Sequence, residues 1–370
     1  MNIRPTKVVI NLENLAYNLN QVKTKVPNKK IMAMVKANAY GHSIIEVSKK
    51  LIENGVDYLG VAFLEEGIAL RNAGINIPIL VTSGILEEEI PYLIDNNLEI
   101  TVSSTLKLNQ VEKISKEKNK KASVHLKIDT GMERIGVHYY SCSEFLEESF
   151  ASPDVDIKGV YSHLACADDL DCNFTKIQLE RFLEVIKPYR TKKVLFHIAN
   201  SAGIISHPET HLDMVRPGIM LYGSYPNAKM KNLINLKPVM SLISKINYFK
   251  VVKKGHSVSY GATWIATEDT RVVTIPIGYG DGYFRSLSNK ARVLINGKRY
   301  PIIGKICMDQ LMVDIGNDSA FNGEEVVLLG VQGSEQITAE ELGILSNTIS
   351  YEIFTNLNNR LPREFINKSK

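Results

Sequence analysis

The feature that most constrains the fold is a regular alternation of short apolar runs with longer amphipathic segments, which begins near residue 31. Most of the intervening segments repeat apolar residues three or four positions apart, as a helix with one buried face does. Strands that alternate with such helices form parallel sheets, and eight units predict a closed (β/α)8 barrel of the TIM type. The eight runs cover residues 31–35, 58–62, 78–82, 98–102, 122–128, 157–162, 194–198 and 212–215.

The chain changes character after Pro238, where apolar runs become short, often alternate with polar residues, and are separated by glycine-containing turns. Asn296-Gly297 is a strong signal for a two-residue hairpin turn, and Thr338 followed by Glu341 predicts the start of a helix. A chain of 370 residues is also long for one hydrophobic core. We therefore predict an α/β protein with an N-terminal (β/α)8 barrel over residues 1–234 and a C-terminal, mostly β domain over residues 235–370.

Composition narrows the class of protein. The 44 basic and 40 acidic residues give a net charge of +4, which favours neither a nucleic-acid partner nor a membrane partner. Four cysteines without a CxxC pair are typical of a reducing compartment. The first residues show no secretory signal, and no apolar run has the length of a membrane span. These features predict a cytoplasmic protein.

Polar residues recur where the predicted barrel strands end, which is where barrel enzymes carry their catalytic groups. A lysine at this edge lies where burial can lower its pKa, as bond formation with an aldehyde requires. Lys36 follows the first run in this way. The other strand-end residues are Lys127 and Asp129 after the fifth run, His163 after the sixth, Asn200 and Ser201 after the seventh, and Arg216 after the eighth.

The loops after the seventh and eighth strands are a recurrent phosphate site in barrels. Ser201 offers a hydroxyl there, and Gly203 and Gly218 permit a close approach to the backbone. A helix that starts near Ser201 would direct its N–H groups at an anion. A phosphorylated aldehyde cofactor joined to Lys36 would satisfy both the lysine and the phosphate site.

Nine motifs, in order and along nearly the whole chain, resemble the bacterial alanine racemases, which are pyridoxal 5'-phosphate enzymes. The motifs are AMVKANAYGH (33–42), HLKIDTGMERIGV (125–137), YSHLA (161–165), HIANSAG (197–203), VRPGIMLYG (215–223), SVSYGATW (257–264), IGYGDGY (277–283), GKICMDQ (304–310) and SYEI (350–353). This resemblance implies a homodimer with shared active sites that interconverts L-alanine and D-alanine and supplies D-alanine for peptidoglycan.

The resemblance also implies residue roles. Lys36 would carry the cofactor and act as one base, and Tyr260 of the partner subunit would act as the other. His163 would orient Tyr260, and Arg216 would hydrogen-bond the pyridine nitrogen. The remaining implied roles are phosphate binding by Tyr40, Ser201, Gly218, Ile219 and Tyr351 with Asn200 beside it, carboxylate binding by Arg134 and Met308, an entry lined by Tyr279 and Asp309, and a carbamylated lysine at Lys127 that braces Arg134.

Competing interpretations rest on specific residues. The spacing from His163 to Cys172 fits no standard zinc site, so we expect no metal. Related decarboxylases place a glutamate against the pyridine nitrogen, and Arg216 argues against that activity. A non-enzymatic cofactor-binding protein of the single-barrel kind would lack the β domain that carries Tyr260. A broader, serine-accepting racemase remains an alternative, although Tyr351 favours alanine. Histidines such as His125 and His197 are interpreted as core or surface residues.

Overall fold

The computed structural model describes residues 4–367. These residues form two compact units. Residues 15–39 and 44–237 make up the first unit, which we call the barrel unit. Residues 4–14, 40–43 and 238–367 make up the second, which we call the β unit. The boundary between residues 234 and 235 stays a prediction.

The strands and helices follow one another as listed here. The strands are β1 Lys7–Asn11, β2 Lys30–Met34, β3 Tyr58–Val61, β4 Ile79–Val81, β5 Glu99–Val102, β6 Ala122–Asp129, β7 Val137–His138, β8 Val155–Tyr161, β9 Leu195–His197, β10 Met214–Val215, β11 Met240–Lys245, β12 Tyr248–Val252, β13 Ser257–Val258, β14 Trp264–Ile265, β15 Thr270–Ile275, β16 Arg292–Ile295, β17 Lys298–Ile303, β18 Leu311–Gly316, β19 Glu325–Gln332, β20 Glu335–Ile337 and β21 Arg363–Ile366. The helices are α1 Leu12–Lys25, α2 Lys36–Tyr40, α3 Ile44–Glu53, α4 Leu64–Asn72, α5 Ile90–Asp95, α6 Thr105–Glu117, α7 Ser143–Ala151, α8 Phe174–Ile186, α9 Ser201–Ser206, α10 Ala339–Ser346 and α11 Ser350–Asn356.

The barrel unit contains a parallel sheet in the order β10-β2-β3-β4-β5-β6-β8-β9. Two backbone hydrogen bonds join its outer strands, from Asp213 N–H to Phe196 O and from Arg216 N–H to Ala199 O, each 3.0 Å long. Each of the eight predicted runs overlaps one of these strands, so the barrel prediction is confirmed. Strands β3, β4 and β5 are buried at every position, as expected where helices cover the outer face of a parallel sheet.

The β unit contains a sheet in the order β12-β15-β18-β17-β16-β19-β11-β1-β21, and its strands are antiparallel except for the pair β1–β21. This confirms the mostly β prediction. The hairpin between β16 and β17 turns at Asn296 and Gly297, whose φ angles are 51° and 74°, as a two-residue turn of this kind requires. The Thr338 hydroxyl accepts a hydrogen bond from Glu341 N–H (3.1 Å) at the start of α10, as predicted.

Three further observations concern residues 4–367 as a whole. No helix in this range is both long and apolar enough to cross a membrane. The four cysteines are free thiols. No group of three or more histidine, cysteine, aspartate or glutamate side chains in this range has an arrangement that could hold a metal ion.

The side chain of Asn18 on α1 binds backbone groups near the C-terminal end of the barrel unit. This side chain is fully buried. It donates to Leu221 O (3.0 Å) and Lys237 O (2.8 Å) and accepts from Lys237 N–H (2.8 Å). Because three backbone groups depend on this amide, its loss would remove these hydrogen-bond partners from all of them.

We predict that Asn18→Leu lowers the free energy of unfolding of the barrel unit by at least ~2 kcal/mol, measured by urea denaturation. Asn20→Leu is the matched control, since it makes the same change at an exposed position on the same helix. The control should shift stability by less than ~0.5 kcal/mol. Equal effects from the two variants would show that the Asn18 bonds do not stabilise the unit.

Candidate active site

Lys36 lies just beyond β2, at the start of a turn with unusual backbone geometry. The φ angles of Ala37, Asn38 and Ala39 are 52°, 54° and 53°, in the left-handed region that residues with a side chain rarely adopt. The Glu66 carboxylate holds this turn, because it accepts a hydrogen bond from Ala37 N–H (2.6 Å). Strained backbone of this kind persists only where surrounding bonds fix it, and it concentrates at functional sites.

The side chain of Lys36 is half-buried, and burial lowers the pKa of its ammonium group. The positive charges of Arg134 and Arg216 lower this pKa further, while Glu66 opposes them. A lower pKa increases the fraction of neutral amine near neutral pH. The neutral amine is the form that attacks a carbonyl carbon or accepts a proton.

Arg216 follows β10 and is only 4% exposed. Its guanidinium donates to Ser162 O (2.6 Å), Ile198 O (3.1 Å), His197 Nδ1 (2.6 Å) and His163 Nδ1 (3.3 Å). Burial lowers the pKa of Arg216 to about 10, so the group still carries its charge at neutral pH. It therefore acts as a fixed cation and hydrogen-bond donor at the carboxyl ends of the strands.

The surroundings of His163 favour its neutral form. Desolvation lowers the pKa of His163 well below its ordinary value, and the positive charges of Arg216 and Lys127 lower it further. With its Nδ1 accepting from Arg216, the ring carries its proton on Nε2. His163 and Arg216 are therefore paired within the barrel unit.

Lys127 and Asp129 both lie on the last part of β6. Lys127 is buried, donates to Ile128 O (2.9 Å) and lies 5.2 Å from the centre of the Tyr161 ring. Burial lowers the pKa of Lys127 to about 7, and the charge of Arg216 contributes to that shift.

Asp129 organises the loop that carries Arg134. Its Oδ1 accepts hydrogen bonds from Gly131 N–H (2.7 Å) and Met132 N–H (2.9 Å). Its Oδ2 lies 3.3 Å from the backbone nitrogen of Arg134, which donates to it. The Arg134 side chain itself is exposed, so it can reach a ligand.

Ser201 and Gly218 lie together where the last two barrel strands end. The Ser201 hydroxyl accepts from Gly218 N–H at 2.8 Å. Asn200 caps α9, since its side-chain oxygen accepts from Gly203 N–H (3.0 Å). A second helical turn begins at Ile219. Two helix starts side by side bring backbone N–H groups to one place, which suits an anion.

Two predicted tyrosines meet in the β unit. The rings of Tyr40 and Tyr351 have their centres 6.0 Å apart and are tilted by 48°. Tyr40 is buried and Tyr351 is half-buried. Ring packing therefore positions the pair.

A second group in the β unit is exposed. Tyr260, Met308 and Tyr279 are 68%, 53% and 42% exposed. Tyr279 N–H donates to the carbonyl of Cys307 (3.1 Å), which brings it next to Met308. The hydroxyl of Ser259 donates to Lys305 O (2.6 Å), which brings the Tyr260 turn to the same segment. Asp309 is also exposed and pairs with Arg360 (2.6 Å).

Some polar residues that make internal hydrogen bonds are not singled out by the sequence patterns above. They are Glu66, which holds the Lys36 turn, and a group formed by Glu99, His125 and His197. Both histidines lie in the core, which is one of the two positions expected for them from the sequence. The sequence does contain a pattern that could have identified the histidine group. Polar residues at every second position of a barrel strand, as at His125 and Lys127, face one side of the sheet.

Known proteins share this organisation. The family model for the alanine racemase N-terminal domain matches residues 10–226, and the model for the alanine racemase C-terminal domain matches residues 239–365. An alanine racemase of Carboxydothermus hydrogenoformans is 45% identical over 370 residues, covering 98% of this chain and 100% of that protein. One from Methanococcus maripaludis is 39% identical over 369 residues, covering 98% and 99%.

Solved structures agree with these relatives. The alanine racemase from D-cycloserine-producing Streptomyces lavendulae superposes with a TM-score of 0.95 at 32% identity, covering 100% of this chain and 99% of that one. The alanine racemase of Bacillus anthracis with bound L-Ala-P gives a TM-score of 0.93 at 34% identity, covering 100% and 97%. Both domains and their order thus agree with one family. The chain belongs to the alanine racemase family.

Proposed function

We propose that this protein interconverts L-alanine and D-alanine with pyridoxal 5'-phosphate and two bases, Lys36 and the Tyr260 of a second subunit. Family membership makes the chain an isomerase. The observation that carries the finer proposal is the half-buried Lys36, whose pKa is lowered beside the fixed cation Arg216. This combination supplies a neutral amine and a hydrogen-bond donor at one end of one barrel.

The residues at the barrel end fit a phosphorylated pyridine aldehyde. Lys36 would hold the aldehyde carbon, Arg216 would donate to the pyridine nitrogen, and the helix starts at Ser201 and Ile219 would receive the phosphate. When bound, this cofactor withdraws electrons from the α-carbon of an amino acid and makes its α-proton removable. Arg216 cannot readily give up a proton, which would leave the pyridine nitrogen unprotonated.

Racemisation requires that a proton leave one face of the α-carbon and that another arrive on the opposite face. Lys36, as a neutral amine, would serve one face. A free tyrosine titrates near pH ~10, so the Tyr260 hydroxyl needs a nearby cationic or hydrogen-bonding group to act as a base. His163, bonded to Arg216, would supply that group. The exposed Arg134 would bind the substrate carboxylate as a bidentate pair.

A homodimer follows from this proposal, since Tyr260 is 68% exposed and would serve a partner subunit's site. The residue before it, Ser259, has a strained backbone with a φ angle of 67°, and such strain concentrates at functional sites. Met308, Tyr279 and Asp309, which share that exposed segment, would line the entry. We place the reaction in the cytoplasm, where D-alanine for peptidoglycan would be made.

Lys127 fits the proposed carbamylated lysine. Its pKa of about 7 gives a large neutral fraction near neutral pH. Only a neutral amine adds to carbon dioxide, and the product carries a negative charge. That charge would offset the positive charges of Arg216 and Arg134, both of which act on Lys127.

The direct test supplies the purified protein and cofactor with L-alanine or D-alanine and follows both enantiomers by chiral chromatography. We expect both reactions to converge on an equal mixture. Lys36→Ala should reduce the rate by more than about a thousandfold, because it removes both the attachment point and one base. Lys113→Ala, at an exposed lysine, is the matched control and should retain the wild-type rate.

Serine and lysine run in parallel as alternative substrates. Release of carbon dioxide and an amine would favour the decarboxylase alternative, and equal rates with serine would favour a broader racemase. Binding of the cofactor without turnover of any amino acid would contradict the proposed activity.

Mixed subunits test the shared site. Lys36→Ala and Tyr260→Phe proteins, each inactive alone, are co-expressed with two different affinity tags, and doubly tagged dimers are purified. If Tyr260 serves the partner's site, each mixed dimer has one intact site of two, so about half of the wild-type rate should return. No recovery in a mixed dimer that binds cofactor would show that Lys36 and Tyr260 act within one subunit.

A further inference from the structure

A line of hydrogen bonds crosses the barrel interior from Glu99 on β5 to Arg216 after β10. The Glu99 Oε2 atom lies 2.7 Å from His125 Nε2. His125 Nδ1 lies 2.9 Å from His197 Nε2, and His197 Nδ1 lies 2.6 Å from Arg216 Nη1. Glu99 is 6% exposed, and both histidines are fully buried. These three residues lie behind Arg216 and are not among the residues that would hold the cofactor.

Strand β8 leaves room for this line. It lies between β6 and β9 in the sheet, and its residue Gly159 pairs with His125 on one side and Leu195 on the other. A Cβ atom at Gly159 would lie 2.5 Å from His125 Nδ1, the atom that meets His197. Any larger residue would therefore close the space in which the two imidazole rings bond.

The bonds have one direction, which the donors of Arg216 and the acceptor of Glu99 set together. Guanidinium nitrogens only donate, so His197 Nδ1 must accept and its proton must be on Nε2. That N–H then donates to His125 Nδ1, which must also be bare, so His125 carries its proton on Nε2 and donates to the Glu99 carboxylate. A second proton on either ring would set two donors against each other.

The surroundings favour a neutral ring at His197. Burial lowers the pKa of His197 well below its ordinary value, and Arg216 and Lys127 lower it further. The His197 ring stacks on Tyr161 with centres 4.9 Å apart and planes within 2°, which fixes its orientation. A buried carboxylate and a buried guanidinium are thus linked through two neutral imidazoles, so neither charge is left without hydrogen bonds.

We propose that Glu99, His125 and His197 are positioning residues for the racemisation reaction, which fix the orientation of the Arg216 guanidinium by fixing the tautomers of both histidines. This inference rests on the proposed function. Glu99 affects Arg216 from a distance. Without an acceptor at Glu99, His125 can hold its proton on Nδ1. His197 would then reverse as well and present an N–H to Arg216, which would turn the guanidinium away from its present bonds.

The kinetic test compares three variants of the holoenzyme. Glu99→Leu removes the acceptor, and we expect the kcat for L-alanine to fall about tenfold or more with KM within about twofold, because the Arg216 guanidinium is no longer held in its present orientation. Glu99→Gln keeps an oxygen that can accept from His125, so it should restore most of kcat. Glu117→Leu makes the same change on the exposed face of α6 and should match the wild type.

Two kinetic results would overturn the proposal. One is a kcat for Glu99→Leu within twofold of the wild type. The other is an equal loss in Glu99→Gln, because that variant retains the acceptor and removes only the charge.

A spectroscopic measurement on the wild-type holoenzyme does not depend on turnover. Ring nitrogens of ¹⁵N-labelled histidine are read by NMR and assigned with His125→Gln and His197→Gln. We expect both rings to be neutral with the proton on Nε2. A proton on Nδ1, or an imidazolium, at either position would overturn the proposal. If alanine is not racemised but both tautomers are as expected, the proposed function fails while the direction of the bonds stands.

Discussion

The burial of Arg216 is the constraint on which the rest of the site depends. A guanidinium carries five donors and no acceptor, so a barrel interior that holds it must supply oxygen and bare nitrogen atoms around it. The carbonyls of Ser162 and Ile198 and the ring of His197 do so here. These partners come from the ends of neighbouring strands. The guanidinium therefore has all of them only when those strands are correctly aligned in the barrel.

Because Arg216 keeps its charge, the basic groups near it lose theirs more readily. Its field contributes to the lowered pKa values of Lys36, Lys127 and His163, in each case alongside the larger effect of burial. One fixed cation thus favours the neutral forms of two amines and one imidazole. The same positive field suits the anionic groups that the proposed cofactor and substrate would bring.

The barrel and the strand-end residues could be predicted because hydrophobic alternation and parallel-sheet geometry are local and repeated. Other features depend on contacts that sequence patterns do not encode. The N-terminal strand β1 is one example, since its place between β11 and β21 depends on distant partners. The bond between His125 and His197 depends on the missing side chain at Gly159. The left-handed turn after Lys36 contains no glycine at residues 37–39 that would signal it.

The most direct test of this account is the pH dependence of Lys36 reactivity. Protein cleared of bound carbonyl compounds with hydroxylamine is labelled with an amine-specific reagent at a series of pH values, and each lysine is quantified by mass spectrometry. Only the neutral amine reacts, so a lowered pKa moves the midpoint to lower pH. The account predicts that Lys36 reaches half-maximal labelling at a lower pH than the exposed Lys113 in the same digest. Equal midpoints for the two lysines would contradict it.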